Sequence, residues 1–467
     1  VIVSPFHLRG LEGFLSPSKQ RGHGRSSLGF AVAWLCVAVF TCGLALSGCA
    51  QPAAVAQHST PSPGATAEVS VSPAAPYDEP PSEDGPGETI VTLQVWLPPE
   101  IARASMSVQG RSLLYIDALA EAAELPKGVR VASITKDLLG PAGMIESALA
   151  TAPVVPERLP DMMLIDASEL QALVSAGLAQ PLDGALPTTV WQEIWPSSQE
   201  AVMIDGVAFG APLCVDIPLL IYDVATLAAP PATWGQLLSG DLALLFPAAP
   251  AASSSDTILT LYLSEAGHTA TVAPQIDTTA LTRALSAVQL GREAGRIHAD
   301  AVETLDVDQS WAAYATDKVD MAVSTSAQLL RGGDSMPTTQ IAPIPPSGDA
   351  PVSVAHTMAW VVLTTDKQHR ELAIELVHAS LRDEQQRVLS MRTYHLPAVR
   401  SALDANTASP WHGPLTLLLT EAQPAPAVAD YDLLNRSLMW ATASVLRGQA
   451  SPAEAANLAA VRVSEQE

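Results

Sequence analysis

The stretch 202–238 constrains the fold more than any other part of this chain. It reads VMIDGVAFGAPLCVDIPLLIYDVATLAAPPATWGQLL. Asp205-Gly206 is a tight-turn dipeptide between two short apolar runs, so 202–204 and 207–209 are expected to form a hairpin. The chain then stays extended through Pro212 and Pro218, neither of which can donate a ladder hydrogen bond. Such a segment suits a sheet edge or a crossing between two bodies better than a central strand. A second apolar run, 219–222, follows at once and is ended by Asp223 and Pro230-Pro231. Thr233 and Gln236 have capping-box spacing, so a helix is expected to start there.

Hairpin, G-x-P-x-x-x-D crossing, apolar strand ending in Tyr222, then P-P-x-T-W-x-x-L: in this order the motifs resemble the extracellular solute-binding proteins of family 1. These are the maltose-binding-protein-like receptors of ABC importers. The resemblance implies that the crossing is the first hinge strand between two lobes.

A second block supports it. In 160–170, PDMMLIDASEL, an apolar strand delivers Asp166 and Ser168 to a strand-to-helix junction, and the helix stops at Gly177 before Pro181-Leu182-Asp183. This matches the family pattern P-D-V-x-x-x-D-x-x-x-L-x-x-x-G-x-x-x-P-L-D, whose junction lines the ligand cleft. Asp166 also reads simply as an N-cap that satisfies helix amides.

Further along, 309–323 resembles x-x-x-F-x-x-G-x-A-A-M, with Asp317 where glycine is usual. Residues 341–345 resemble the second hinge strand. His356-Thr357 stands where the family's G-G-x-x-x-x-I pattern has glycines, and Tyr394-His395-Leu396-Pro397 matches its G-x-x-P turn. Ser451-Pro452-Ala453-Glu454 is a capping box opening a last helix.

Before this body the chain has a different character. Arg9, Lys19, Arg21 and Arg25 precede the charge-free run 28–46, which leads into Leu46-Ser47-Gly48-Cys49. That tetrad resembles a lipobox and implies a cleaved signal peptide (1–48) with lipid on Cys49. An uncleaved membrane anchor is the alternative, since the run is long enough to span a bilayer. Residues 49–88 are rich in Pro, Ala and Ser and read as a disordered tether.

Charge excludes some partners. The net charge is −24; four bases and one acid (Glu12) fall within 1–48, so the remainder carries 20 basic against 47 acidic residues, a net of −27. Such a surface repels nucleic acid and anionic lipid headgroups, so no nucleic-acid partner is expected. Cys36 and Cys42 lie in the signal and Cys49 at the lipobox, which leaves Cys214 alone in the body. One thiol builds neither a disulfide nor a cysteine metal site. No G-x-S-x-G, H-E-x-x-H, P-loop or G-x-G-x-x-G after a strand occurs. We expect neither catalysis, cofactor nor metal.

The expected architecture is therefore α/β, a two-lobe periplasmic-binding-protein-like fold of type II. Mixed sheets are flanked by helices, and hinge crossovers join the lobes. The first lobe is expected over 89–212 plus 343–380, the second over 217–340 plus 385–467. Within them, a helix is expected over 111–124 and a strand over 242–246.

The candidate ligand-binding residues are Trp96, Asp166, Ser168, Asp216, Ser324 and Trp360, with Trp411 and Tyr431 in the closing helical region. Trp311, Tyr314 and Trp234 read as packing residues. By resemblance the function is a monomeric, lipid-anchored receptor outside the cytoplasmic membrane. It would deliver a small polar solute, a sugar or oligosaccharide, to ABC permease subunits. The acidic body keeps a polyamine or other cation open as the solute, and the replaced glycines at 356–357 keep open a sensor or adhesion lipoprotein without an importer.

Overall fold

The computed structural model describes residues 90–464 except 109, 139, 141, 268–274, 349–350, 405–408 and 428–429. The expected signal, Cys49 and the tether lie outside the described residues. Among the described residues, no helix is long and apolar enough to cross a membrane.

Along the chain, β1 (Val91–Leu97) precedes a hairpin of β2 (Ser105–Val108) and β3 (Arg111–Leu114), then β4 (Val129–Thr135) and β5 (Met162–Asp166). A tight hairpin of β6 (Met203–Ile204) and β7 (Val207–Ala208) leads into β8 (Ala211–Asp216) and β9 (Pro218–Asp223). β10 (Met321–Thr325), β11 (Thr339–Ala342), β12 (Val354–Val362), β13 (Leu396–Pro397) and β14 (Gln423–Pro424) follow.

Two main sheets result. The first has the order β13-β8-β12-β5-β1-β4, with β14 paired to β12. Its strands β4, β1 and β5 are parallel, whereas β12 runs antiparallel to β5 and β8. Both faces are buried at the centre of the sheet, which is why β5 and β8 read as continuous apolar runs, whereas the edge strand β4 is largely exposed. Leu93, Val95, Leu164 and Trp360 share one core with Leu372 and Leu376, while Trp96, Met163, Ile165 and Val361 share another with Met144 and Leu170. The second sheet is the antiparallel β10-β9-β11. Its core takes in the helices Asp256–Ala266, Thr278–Glu293 and Tyr431–Leu446. The fold is α/β with two lobes, as expected.

The sheets are separate, and the chain crosses between them at 217, between β11 and β12, and again after β13, since Val399 lies in a first-sheet core and Trp411 in the second-lobe core. At the first crossing Asp216 acts across the boundary. Its Oδ1 accepts from Ile217 N at 3.1 Å, Ser326 Oγ at 2.6 Å and Ala327 N at 2.8 Å. The end of β8 is thereby tied to the start of the helix Ser326–Gly332, which follows β10. Pro218 opens β9, where its missing N–H is harmless.

Local signals account for the turns. Asp205 and Gly206 both adopt positive φ, 52° and 79°, as a two-residue hairpin turn between right-twisted strands requires. Asp317 and Tyr394, at the two positions where glycine is usual, also have positive φ, 55° and 65°. Thr233 accepts from Gln236 N and Ser451 from Glu454 N, so both expected caps form.

Four expectations need correction. The helix expected over 111–124 begins only at Tyr115, because Arg111–Leu114 pairs with β2 around Gly110, whose φ is +77°. The strand expected over 242–246 is reduced to parallel bridges from Leu244 to Ile297 and from Leu245 to Ala322. β8 is internal to its sheet despite Pro212; β13 reaches only Cys214 and Val215, and the register with β12 shifts between Met358 and Ala359, opposite the proline. Finally, Leu389 and Val399 lie in a first-sheet core although 385–467 was expected in the second lobe. The buried Gln386 holds this segment there: its amide donates to Leu213 O at 3.0 Å and its oxygen accepts from Ala398 N at 2.9 Å.

Removing the Asp216 carboxylate leaves the Ala327 amide and the Ser326 hydroxyl short of an acceptor, and the Ile217 amide with Ser326 Oγ alone. Asp216→Ala is expected to cost about 1–3 kcal/mol, read as a lower urea midpoint at unchanged slope.

Candidate functional site

The polar groups of the two lobes converge at the ends of β5 and of the second crossing. β5 ends on Asp166, whose Oδ1 accepts from Ser168 N at 2.9 Å and Ser168 Oγ at 2.7 Å. Both are therefore spent on the strand-to-helix junction, as a cap would be. The other carboxylate oxygen, Oδ2, lies 3.7 Å from Nδ1 of His356 near the start of β12. On the opposite side, His356 Nε2 donates to Asp256 Oδ1 at 2.8 Å. Asp256 is the first residue of the second-lobe helix Asp256–Ala266, and it also accepts from Ser254 Oγ. Tyr431 opens the helix Tyr431–Leu446 and meets the His356 ring edge-on, with centroids 6.2 Å apart.

The electrostatics follow from these contacts. Burial pushes the carboxyls of Asp166 and Asp256 up, but His356 and the neighbouring serines outweigh it and hold both below the usual range. Burial pushes the imidazole of His356 down, yet the two carboxylates raise it well above its ordinary value. The triad is an aspartate, an imidazolium and a second aspartate at neutral pH.

Glu169 behaves in the opposite sense. It is 6% exposed, and its Oε2 has no hydrogen-bond partner. Burial first, then Asp166, Glu146, Asp430 and Asp432, push it up to about 8. It carries a proton at neutral pH. Tyr431 is raised well above its ordinary value as well, by burial and then by Asp256 and Asp166, and stays a neutral O–H.

Beside this cluster a cavity of about 850 Å³ opens between Gly140, on the loop after β4, and second-lobe residues that include Ser253, Asp432, Asn435 and Trp440. Asn435 Nδ2 donates to Ser253 O at 3.3 Å. Arg436 pairs with Asp432 at 3.0 Å, and the Arg462 guanidinium lies 4.2 Å over the Trp440 ring.

Of the residues named from sequence, Asp166, Ser168 and Tyr431 meet here. Asp216 ends opposite His356 in register, but its Oδ1 is engaged at the hinge. The other four are packing residues. Trp360 is fully buried on the first-sheet face that carries the helix Lys367–Ser380, and donates to Ser380 Oγ. Trp411 is wedged against Gly333 and donates to Thr339 O. Ser324 is fully buried in β10, and Trp96 is 5% exposed with the Lys136 ammonium 4.6 Å over its ring. For the three tryptophans, apolar area won over a polar role.

His356, Asp256 and Glu169 were missed as site residues. His356 was visible only as a replaced glycine. Asp256 follows three serines at a helix start, a pattern every N-cap shares. Glu169 sits in the strongest motif of the chain, with nothing in its neighbours to reveal burial.

Two α/β lobes joined by short crossings, with polar side chains of both meeting at Asp166, His356 and Asp256, define a two-lobe architecture suited to enclosing a guest. The family model for bacterial extracellular solute-binding proteins matches residues 145–414, more than half of the chain. The chain belongs to the bacterial extracellular solute-binding proteins.

Solved structures of similar fold include the sugar-binding protein MalE from Xanthomonas citri, with TM-score 0.67 and 16% identity over 80% of this chain and 97% of that one. The GacH receptor of Streptomyces glaucescens, solved unliganded and with acarbose, gives 0.61 and 20% over 79% and 96%. The cyclic alpha-maltosyl-1,6-maltose binding protein from Arthrobacter globiformis gives 0.63 and 17% over 80% and 98%. No curated protein sequence matches the chain.

The raised pKa of Glu169 has a definite sign in stability. A carboxyl of ordinary pKa 4.5 when unfolded and about 8 when folded lends stability that is complete below pH 4.5 and is lost as pH rises through 8. Glu169→Gln cannot ionise. Its melting temperature relative to the parent is expected to rise from pH 4.5 upward and level off above about 8; a constant difference across that range would refute the assignment.

Proposed function

We propose that this protein is a lipid-anchored receptor that takes a neutral polyhydroxylated solute, a sugar or oligosaccharide, into the cleft beside Tyr431 and delivers it to an ABC importer by closing its lobes. The supporting observation is the state of the carboxylates. Asp216 is engaged by three hinge donors, Asp166 and Asp256 face His356, and Glu169 is protonated. Groups that could have gripped a cation are already satisfied from within. What remains, the O–H groups of Tyr431 and Glu169 and the side-chain oxygen of Asn435, suits hydroxyl-rich ligands that both donate and accept.

Closure draws its energy from contacts made with both lobes at once. The cavity has walls from both, and the crossings at 217, between β11 and β12, and after β13 are where the backbone would turn. The anchor at Cys49 and the tether 49–88 would hold the body outside the membrane within reach of permease subunits.

A cationic solute is the second reading. Asp430, Asp432 and Glu146 add further negative charge near Glu169, and the net charge is −24.

Thermal melting of the purified protein with neutral sugars and with linear polyamines separates the two. A saturating sugar at about 100 times its Kd should add about 2.7 kcal/mol to stability, and Tyr431→Ala should weaken binding about tenfold, or about 1.4 kcal/mol. A response to polyamines alone would favour the second reading, and no response to either class would defeat both.

A further inference from the structure

The triad of Asp166, His356 and Asp256 is a filled ion site that spans the lobes. Asp166 arrives from β5 of the first lobe and Asp256 from a helix start of the second, and the imidazole of His356 stands between them at 3.7 and 2.8 Å. The three side chains are 20%, 11% and 20% exposed for Asp166, Asp256 and His356 respectively. Other titratable groups face this ring from each neighbouring element. Tyr431 comes from the helix Tyr431–Leu446 and Glu169 from the junction after β5, both uncharged, while Asp216 from β8 has Oδ1 turned to Ser326 and Ala327. The nearby guanidiniums of the cavity are committed elsewhere, Arg436 to Asp432 and Arg462 to Trp440.

We propose that His356 is a specificity-determining residue: its imidazolium occupies a two-carboxylate cation site shared by the lobes, so the cleft rejects cationic solutes and the lobes are tied at this site. This deepens the receptor reading above and rests on it for the identity of the cleft.

Two aspartates buried this close are strongly unfavourable without a cation between them. Removing the His356 side chain therefore leaves a void with the chemistry of a small organic cation site, the size of one five-membered ring. The fold supplies its own ligand, and a solute cation would have to displace a covalently tethered competitor.

The test is chemical rescue of His356→Gly in the full chain, followed by thermal melting. Imidazole at pH 6, where it is largely protonated, is compared with pyrazole, a neutral ring of equal size. Expected are a lowered melting temperature for His356→Gly, a saturable rise with imidazole, no comparable rise with pyrazole, and no rescue once Asp256→Asn is added. Equal responses to the two rings, or rescue that survives Asp256→Asn, would overturn the proposal.

Should His356→Gly fail to fold, Asp256→Asn alone is titrated by NMR at the His356 ring. Its pKa should fall toward the ordinary histidine value, and an unchanged titration would overturn the proposal. Neither arm uses a solute, so a failed rescue and a failed solute screen are read apart.

Discussion

Two buried aspartates within one imidazole's width of each other are tolerable only because the ring between them is charged. The desolvation of three ionised groups is large, and removing one member leaves the others uncompensated. This pairing reaches beyond local stability because its members come from different bodies. Asp166 closes a strand of the first sheet, Asp256 opens a helix of the second lobe, and His356 lies where the second crossing re-enters the first sheet. The same few ångströms thus hold a charge balance and a junction between lobes.

The hinge repeats the device with a neutral partner. Asp216 ends β8 and accepts from the first residues of a helix that follows β10, so the first crossing is also pinned by a carboxylate that reaches over the boundary. Between β8 and β9 the backbone has one residue, Ile217, fully buried, and then Pro218. A crossing this short cannot wander, and rotation of the lobes must be absorbed there, in the return between β11 and β12, and in the chain after β13.

Much of this was legible in the chain because its signals are local. Asp205-Gly206, Thr233 with Gln236, Ser451 with Glu454 and the prolines flanking the crossing each have one inexpensive backbone solution, and the structure adopts it. The continuous apolar runs of the first sheet likewise imply burial on both faces. What could not be read depended on what lies over a side chain. Trp360 and His356 lie four residues apart on one strand and so on the same side of it, yet tertiary packing puts one in a core and the other between two aspartates. The hairpin around Gly110 was hidden because its apolar residues also fit helical spacing. The site was hardest of all: Asp256, Glu169 and His356 are far apart in sequence, and their roles arise from mutual distance.

The charge balance also reconciles an acidic chain with a neutral ligand. A net charge of −24 suggests a cation binder only if its carboxylates are free where the ligand sits. Here burial keeps Glu169 protonated, His356 offsets one of the two aspartates it joins, and Asp216 is held at the hinge. The field of the whole surface still attracts cations from a distance, but within the triad only one charge is uncompensated, shared across the ring. Attraction at long range and rejection at contact are compatible, because the first depends on the sum of charges and the second on which of them has already found a partner.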